Sequence, residues 1–312
     1  MTNHTKHQIG PLTPLHQPLI SHSETPPTQE DALIAALERI QSKRPLTLPL
    51  ERTIKLLHEL VSFPLGKFLL EHKGLNGYWT SDLILSTPYT LDRPPLETWI
   101  RTKAPVVKAT RERFHIFQRE VSHFLADNMT LASIPCGIMD CLLRIDYRDY
   151  KNISLIGVDL DEESLELALG NAQNMGHDEH LTLILQDAWE ITLSGTVDLL
   201  ISNGLSIYEP DHTRLGELYK KFHTALKPNG ILITSFFTPP PIPGNHCPWR
   251  NFNVDDILLQ KSIISDVVEG KFQNYMTEES ISSLLATAGF KVEKVTNDSQ
   301  CMFPTLVARR VD

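Results

Sequence analysis

Gly137, Asp159 and Asp187 each follow a short apolar run, and together they suggest one kind of chemistry. A glycine lets the backbone come close to a ligand, because no Cβ stands in the way. A carboxylate at a strand tip can accept hydrogen bonds from both hydroxyls of a ribose. Asp159 suits that role. Asp187 can accept from the exocyclic amine of a purine, with the Ala188 N–H meeting a ring nitrogen. A fourth run ends in Ser202-Asn203-Gly204, where the reactive end of such a ligand would lie. Singly, each of these residues caps a helix about as readily as it binds anything. The ordered set of four points to an adenosine-bearing ligand across the carboxyl ends of a sheet.

The elements needed to hold this set are legible in the hydrophobic pattern. From Asn128 onward short apolar runs alternate with helical stripes. Strands are expected at 131–134, 153–158, 181–185, 197–201, 231–236, 292–295 and 306–309. Between them Asp161-Glu162-Glu163 opens a helix with the acidic residues its positive end prefers. Leu215, Leu218, Tyr219, Phe222 and Leu226 form another stripe, ended by Pro228-Asn229-Gly230. Thr277 caps a third, closed by Gly289 in the left-handed region. Alternation of this kind means a mostly parallel, doubly wound sheet.

The preceding stretch reads differently. Residues 28–127 carry only helical periodicity: Thr28 is an N-cap with Asp31 three positions on, a second helix stops before Pro64, and a longer one starts near Val107. Gly74–Thr80, with two glycines beside Tyr78 and Trp79, is expected as a turn. Residues 1–27 hold five prolines and four histidines without period, and are expected to be a disordered tail.

Residues 128–312 resemble the class I S-adenosylmethionine-dependent methyltransferases. The resemblance rests on Pro135-Cys136-Gly137, the GVDLD run at 157–161, Gln186-Asp187-Ala188, SNG at 202–204, LKPNG at 226–230 and AGF at 288–290. It implies an α/β fold, a seven-stranded Rossmann-like sheet with its last strand antiparallel, with an N-terminal all-helical cap. It further implies S-adenosyl-L-methionine as cofactor, with Asp159 and the adjoining Leu160 at the ribose, Asp187 and Ala188 at the adenine, and the turn 135–137 at the methionyl part. The first turn departs from the family, which usually shows an acid and three glycines there. Ser133, Pro135 and Met139 stand at the other positions and Gly137 alone is kept, so Asp140 is the candidate for the methionine amino group. A pyrophosphate needs the glycine-rich approach to a helix N-terminus, whereas a sulfonium nucleoside carries no phosphate. That contrast ranks a nicotinamide oxidoreductase last.

The totals exclude several classes. A net charge of −9 across 312 residues argues against a broad phosphate-binding surface, and with it against nucleic acid as partner. No apolar stretch approaches the ~20 residues needed to cross a bilayer, and no apolar leader segment opens the chain. Cys136, Cys141, Cys247 and Cys301 form no CxxC pair and no metal-ligand spacing, which suits small packing residues in a reducing cytoplasm. The expectation is therefore a cytoplasmic methyltransferase acting on a small molecule in a lidded pocket, without a metal. An RNA or protein methyltransferase, or a non-catalytic scaffold that keeps the fold, are the alternatives. Methyl transfer from a sulfonium needs alignment more than a fixed base. Tyr208, His246 and Tyr275 are candidates for orienting the acceptor or taking its proton. Tyr78 and Trp79 could wall the acceptor, and Arg111 or Arg113 could bind an anionic group. The methyl acceptor itself and the oligomeric state are not set by the sequence.

Overall fold

Side chains that alternate between two buried faces along each strand build the centre of this protein. The structure, a computed structural model, describes residues 8–9, 28–87, 92–241, 247–270 and 274–312. Its strands are β1 (Gln8–Ile9), β2 (Thr130–Ser133), β3 (Ser154–Asp159), β4 (Leu181–Leu185), β5 (Val197–Ser202), β6 (Leu226–Ser235), β7 (Phe290–Thr296) and β8 (Thr305–Arg310). They form one sheet in the order β1-β4-β3-β2-β5-β6-β8-β7. β8 runs antiparallel to both its neighbours, and every other pairing is parallel. The seven strands expected from the sequence are all present. β1 adds a two-residue edge strand within the stretch read as a tail; the rest of 1–27 lies outside the described residues.

The helices are α1 (Gln29–Ser42), α2 (Leu50–Leu60), α3 (Pro64–His72), α4 (Gly77–Leu85), α5 (Pro95–Thr102), α6 (Pro105–Phe124), α7 (Asp140–Leu143), α8 (Glu162–Met175), α9 (His212–Ala225), α10 (Val254–Lys261) and α11 (Glu278–Thr287). On one face of the sheet, Ala132, Leu200 and Leu232 pack with Leu218, Phe222, Ile281 and Leu285 of α9 and α11. On the other, Leu131, Leu199, Ile201 and Ile233 pack with Phe117, Leu142, Leu165 and Ala172 of α6, α7 and α8. Neighbouring residues of β2 and β5 thus fall in opposite cores, as a two-residue period requires.

By compactness the chain falls into two units. One joins Glu112–Trp249 and Gln273–Asp312 with the N-terminal edge strand, and the other joins the helices up to Arg111 with Arg250–Phe272. The division lies within α6 rather than after residue 127. The segment 250–272 belongs with the helices because Ile263, Val267 and Val268 are buried in the same core as Leu56, Leu57 and Leu60. Arg39 donates to the Val267 carbonyl, and Lys43 pairs with buried Asp266 at 3.0 Å.

Local chemistry sets the helix starts. Thr28 accepts the Asp31 N–H as expected. Gly74–Thr80 is not a simple turn: Asn76 accepts the Trp79 N–H at 3.0 Å and α4 begins at Gly77. An Asn cap outweighs the low helix preference of one glycine. Pro64, read as a stop, opens α3 at its first position, where a missing N–H costs nothing.

Candidate functional site

The sheet order reverses between β2 and β5. From β2 the chain steps outward through β3 and β4, and from β5 it steps the other way through β6. A reversal of this kind opens a crevice at the carboxyl ends of the two central strands, the place where open α/β sheets bind ligands. Every candidate cofactor residue belongs to the compact unit that contains this crevice.

On one side of the reversal β2 leaves the sheet through Pro135-Cys136-Gly137, whose Ile134–Pro135 bond is cis. The turn is tied to β3 twice. Cys136 N–H donates to the Val158 carbonyl at 2.9 Å, and Gly137 N–H donates to Asp159 Oδ2 at 2.7 Å. Gly137 has φ +51 and Met139 φ +63. The first is cheap for glycine; the second is an unusual conformation for a side-chain-bearing residue. Met139 is 1% exposed and anchors the turn before α7 begins at Asp140.

Asp159 also accepts the Asp161 N–H through Oδ1 at 3.1 Å. Burial raises its pKa to about 6, although the backbone N–H bonds oppose the shift. A carboxylate has about four acceptor positions, so it keeps capacity for further donors. Asp187 closes β4 and caps the short 3-10 turn Ala188–Glu190 by accepting the Trp189 N–H at 2.9 Å. Capping uses Oδ1, and Oδ2 has no partner among the described residues. Asp140 is buried and accepts Arg144 Nε at 2.7 Å.

Across the reversal, Ser202 is buried and its carbonyl accepts the Thr234 hydroxyl at 3.1 Å. Gly204 has φ +91 and starts a 3-10 turn through Tyr208. Asn203 Oδ1 is buried without a hydrogen-bond partner among the described residues.

The remaining candidates divide. Tyr208 lies in the sheet-containing unit, and burial lifts its phenol to about 12. Such a group stays neutral near pH 7 and suits holding an acceptor better than taking its proton. Tyr275 is 42% exposed, with its ring 4.9 Å from Phe237. His246 lies outside the described residues. Cys136 and Cys141 have raised pKa values, chiefly from burial, and are therefore thiols rather than thiolates. Tyr78, Trp79 and Arg111 belong to the helical unit. There Trp79 packs near Phe68 with ring centroids 6.0 Å apart, Tyr78 is 45% exposed, and Arg111 donates to the Leu83 and Arg101 carbonyls.

A family model of the methyltransferase domain matches residues 125–280, which is half the chain and contains every candidate cofactor residue. The chain belongs to the methyltransferase-domain family. A solved structure from Bordetella parapertussis, named as that of a possible exported protein, is 37% identical and superimposes with a TM-score of 0.86, covering 91% of this chain and 96% of that one. Magnesium protoporphyrin IX methyltransferase from Synechocystis PCC 6803, solved with bound S-adenosylhomocysteine, shares the fold at 15% identity and a TM-score of 0.52, over 75% of this chain and 94% of that one. Comparison with curated protein sequences returned no match.

Two residues that support the turn of this methyltransferase have no role in the sequence reading, although Gly157 opens the GVDLD run quoted there. Gly157 lies inside β3, and a Cβ built there would stand 2.9 Å from Met139 Sδ and 3.0 Å from Cys136 Sγ. A glycine within an apolar strand is the usual mark of such close approach, and was there to be read. Asn171 of α8 donates through Nδ2 to the Ile138 carbonyl at 3.1 Å. No local pattern distinguishes it from any other polar residue on a helix.

Proposed function

We propose that this methyltransferase takes its methyl group from S-adenosylmethionine and delivers it to a small molecule. The observation that carries the reading is the tie between the Gly137 N–H and the Asp159 carboxylate at the reversal of the sheet. It holds the turn after β2 and the acid after β3 in one rigid arrangement, of the kind a ribose requires. The unsatisfied Asn203 Oδ1 across the crevice supplies an acceptor for a ligand's donor.

When bound, S-adenosylmethionine would supply a sulfonium-activated methyl group. Asp159 would accept from the ribose hydroxyls, Asp187 Oδ2 from the adenine amine, and Asn203 Oδ1 from the methionyl ammonium. Asp140, already held by Arg144, would add negative potential beside that ammonium. Transfer then asks the protein mainly to align the acceptor and exclude water, and Tyr208 would orient it. The acidic balance of the chain favours a small molecule over RNA. A cytoplasmic setting is part of the same reading, supported by four free cysteines. Among the described residues no helix is long and apolar enough to cross a membrane.

Calorimetric titration of the full chain with S-adenosylhomocysteine tests the reading. Micromolar binding is expected, and no heat at high micromolar ligand overturns it. Asn203→Ala should leave the melting temperature of the free protein unchanged or slightly higher, since it removes a buried unsatisfied oxygen. The same change should weaken S-adenosylhomocysteine by about 1 kcal/mol, roughly fivefold. A variant that melts lower and binds as well as the parent would show that Asn203 serves packing alone.

A further inference from the structure

Arg113 of α6 is 7% exposed, yet no carboxylate lies within ion-pair distance of it among the described residues. Among the described residues its Nε is buried without a partner, and Nη1 reaches Ser235 Oγ at 3.4 Å. The guanidinium carbon stands 4.5 Å from the centre of the Phe303 ring, and a Cβ on Gly204 would lie 3.6 Å from Nη2. The charged or titratable groups that act on it are Tyr208, Asp298 and Cys141. Asp298 is turned to other work: its oxygens accept the N–H groups of Gln300, Met302 and Phe303 at 2.9, 3.3 and 2.7 Å.

A buried cation without a counter-ion is costly, and the face of one phenylalanine recovers only part of that cost. Burial lowers the pKa of this guanidinium only to about 10, so it stays charged at neutral pH. A protein that needed only bulk at this point would be more stable with methionine or leucine. The place is informative too. Gly204 follows β5, Ser235 ends β6 and Phe303 precedes β8, whereas Asp159 ends β3 and Asp187 follows the end of β4. The sheet order puts three strand spacings between β3 and β6, roughly 14 Å. The arginine therefore lies toward the β5 and β6 side of the crevice, beside the Gly204 turn where the reactive end of the ligand is expected.

We propose that Arg113 is the anchor for a carboxylate on the methyl acceptor, so that the substrate class is small, singly charged organic acids. This rests on the methyltransferase reading above and narrows it. The guanidinium lies over the Phe303 ring, and its Nε has no hydrogen-bond partner among the described residues; a carboxylate would take this donor together with a neighbouring nitrogen in two parallel hydrogen bonds. One arginine with Asp298 nearby matches a monoanion better than a phosphate dianion, whose desolvation a single cation would not offset. The anchor positions the acceptor and takes no part in bond making. The methyl group goes to another atom of the same molecule, whose proton leaves to solvent.

The test uses the full chain saturated with S-adenosylhomocysteine, with benzoate and benzamide as a matched pair of probes. Benzoate is expected to bind at least tenfold more tightly than benzamide, and Arg113→Met is expected to abolish the difference. Without probes, Arg113→Met should melt a few degrees higher than the parent, because it removes a buried charge that no carboxylate pairs with among the described residues. Lower melting of Arg113→Met, equal binding of the two probes, or binding of neither would each overturn the anchor. Tenfold weaker S-adenosylhomocysteine in Arg113→Met would overturn it as well, by giving the arginine to the methionyl carboxylate. Failure of the parent protein to bind S-adenosylhomocysteine at all would instead sink the underlying reading.

Discussion

Asp159→Ala is expected to weaken S-adenosylhomocysteine by roughly 1–3 kcal/mol, a factor of about 5 to 150, from the lost hydrogen bonds to a charged acceptor. Binding to the parent should also fall with pH. The ionised carboxylate is the form that accepts from two hydroxyls, and burial raises its pKa to about 6. Affinity is then full above pH 7, falls through pH 6, and is about tenfold lower at pH 5. The sign for folding is opposite. A carboxylate whose pKa is higher folded than unfolded opposes folding above pH 6, by about 3 kcal/mol for a shift of this size. That opposition fades as the pH falls toward the ordinary carboxylate range. Weaker binding at pH 5 without a lower melting temperature therefore assigns the loss to this titration. Calorimetry at pH 8, 6 and 5, beside melting curves at the same values, checks both halves. Flat affinity across that range would show that Asp159 does not receive the ligand.

Gly66→Ala should destabilise the helical unit by about 3 kcal/mol or more, at the upper end of overpacking changes. A Cβ at this position would lie 1.9 Å from the Leu60 carbonyl oxygen and 2.7 Å from its carbon. Both are backbone atoms, so no rotamer change relieves the clash. α2 and α3 would have to part, in a core where Leu56, Leu57, Leu60 and Leu65 are at most 1% exposed. Gly74 is the control, since a Cβ there meets nothing within 4 Å. Gly74→Ala should be neutral or slightly stabilising. Denaturant titration followed by the helical signal compares the two, and equal midpoints would mean that this packing yields easily.

The contrast between Gly66 and Gly74 also shows what the sequence made legible. Nothing in the local pattern separates these two glycines; only the approach of α2 to α3 does. The strands were legible because a strand buried on both faces is a continuous apolar run, as at Leu199–Ile201. Asp159 and Asp187 were legible because strand ends are where polar residues interrupt such runs. The role of segment 250–272 was not, since its Ile263, Val267 and Val268 find partners more than 150 positions away in the chain, and periodicity reports only near neighbours. Asn76 was readable as a cap in principle, but the two glycines beside it spoke more loudly for a turn. Arg113 stood among the candidates for its charge; that it is 7% exposed with no carboxylate paired to it among the described residues follows only from the fold.

Synthesis proceeds from the N-terminus, and this has a consequence for a helical unit assembled from two distant stretches. When the ribosome has released the chain as far as Trp249, α1 and α2 already exist, but the residues that plug their core do not. Leu56, Leu57 and Leu60 must wait, exposed or guarded by a chaperone, until Ile263 and Val267 emerge. Such distant pairing slows folding and leaves apolar surface open to strangers in the meantime. Slower translation across the codons after Trp249 would lengthen that window.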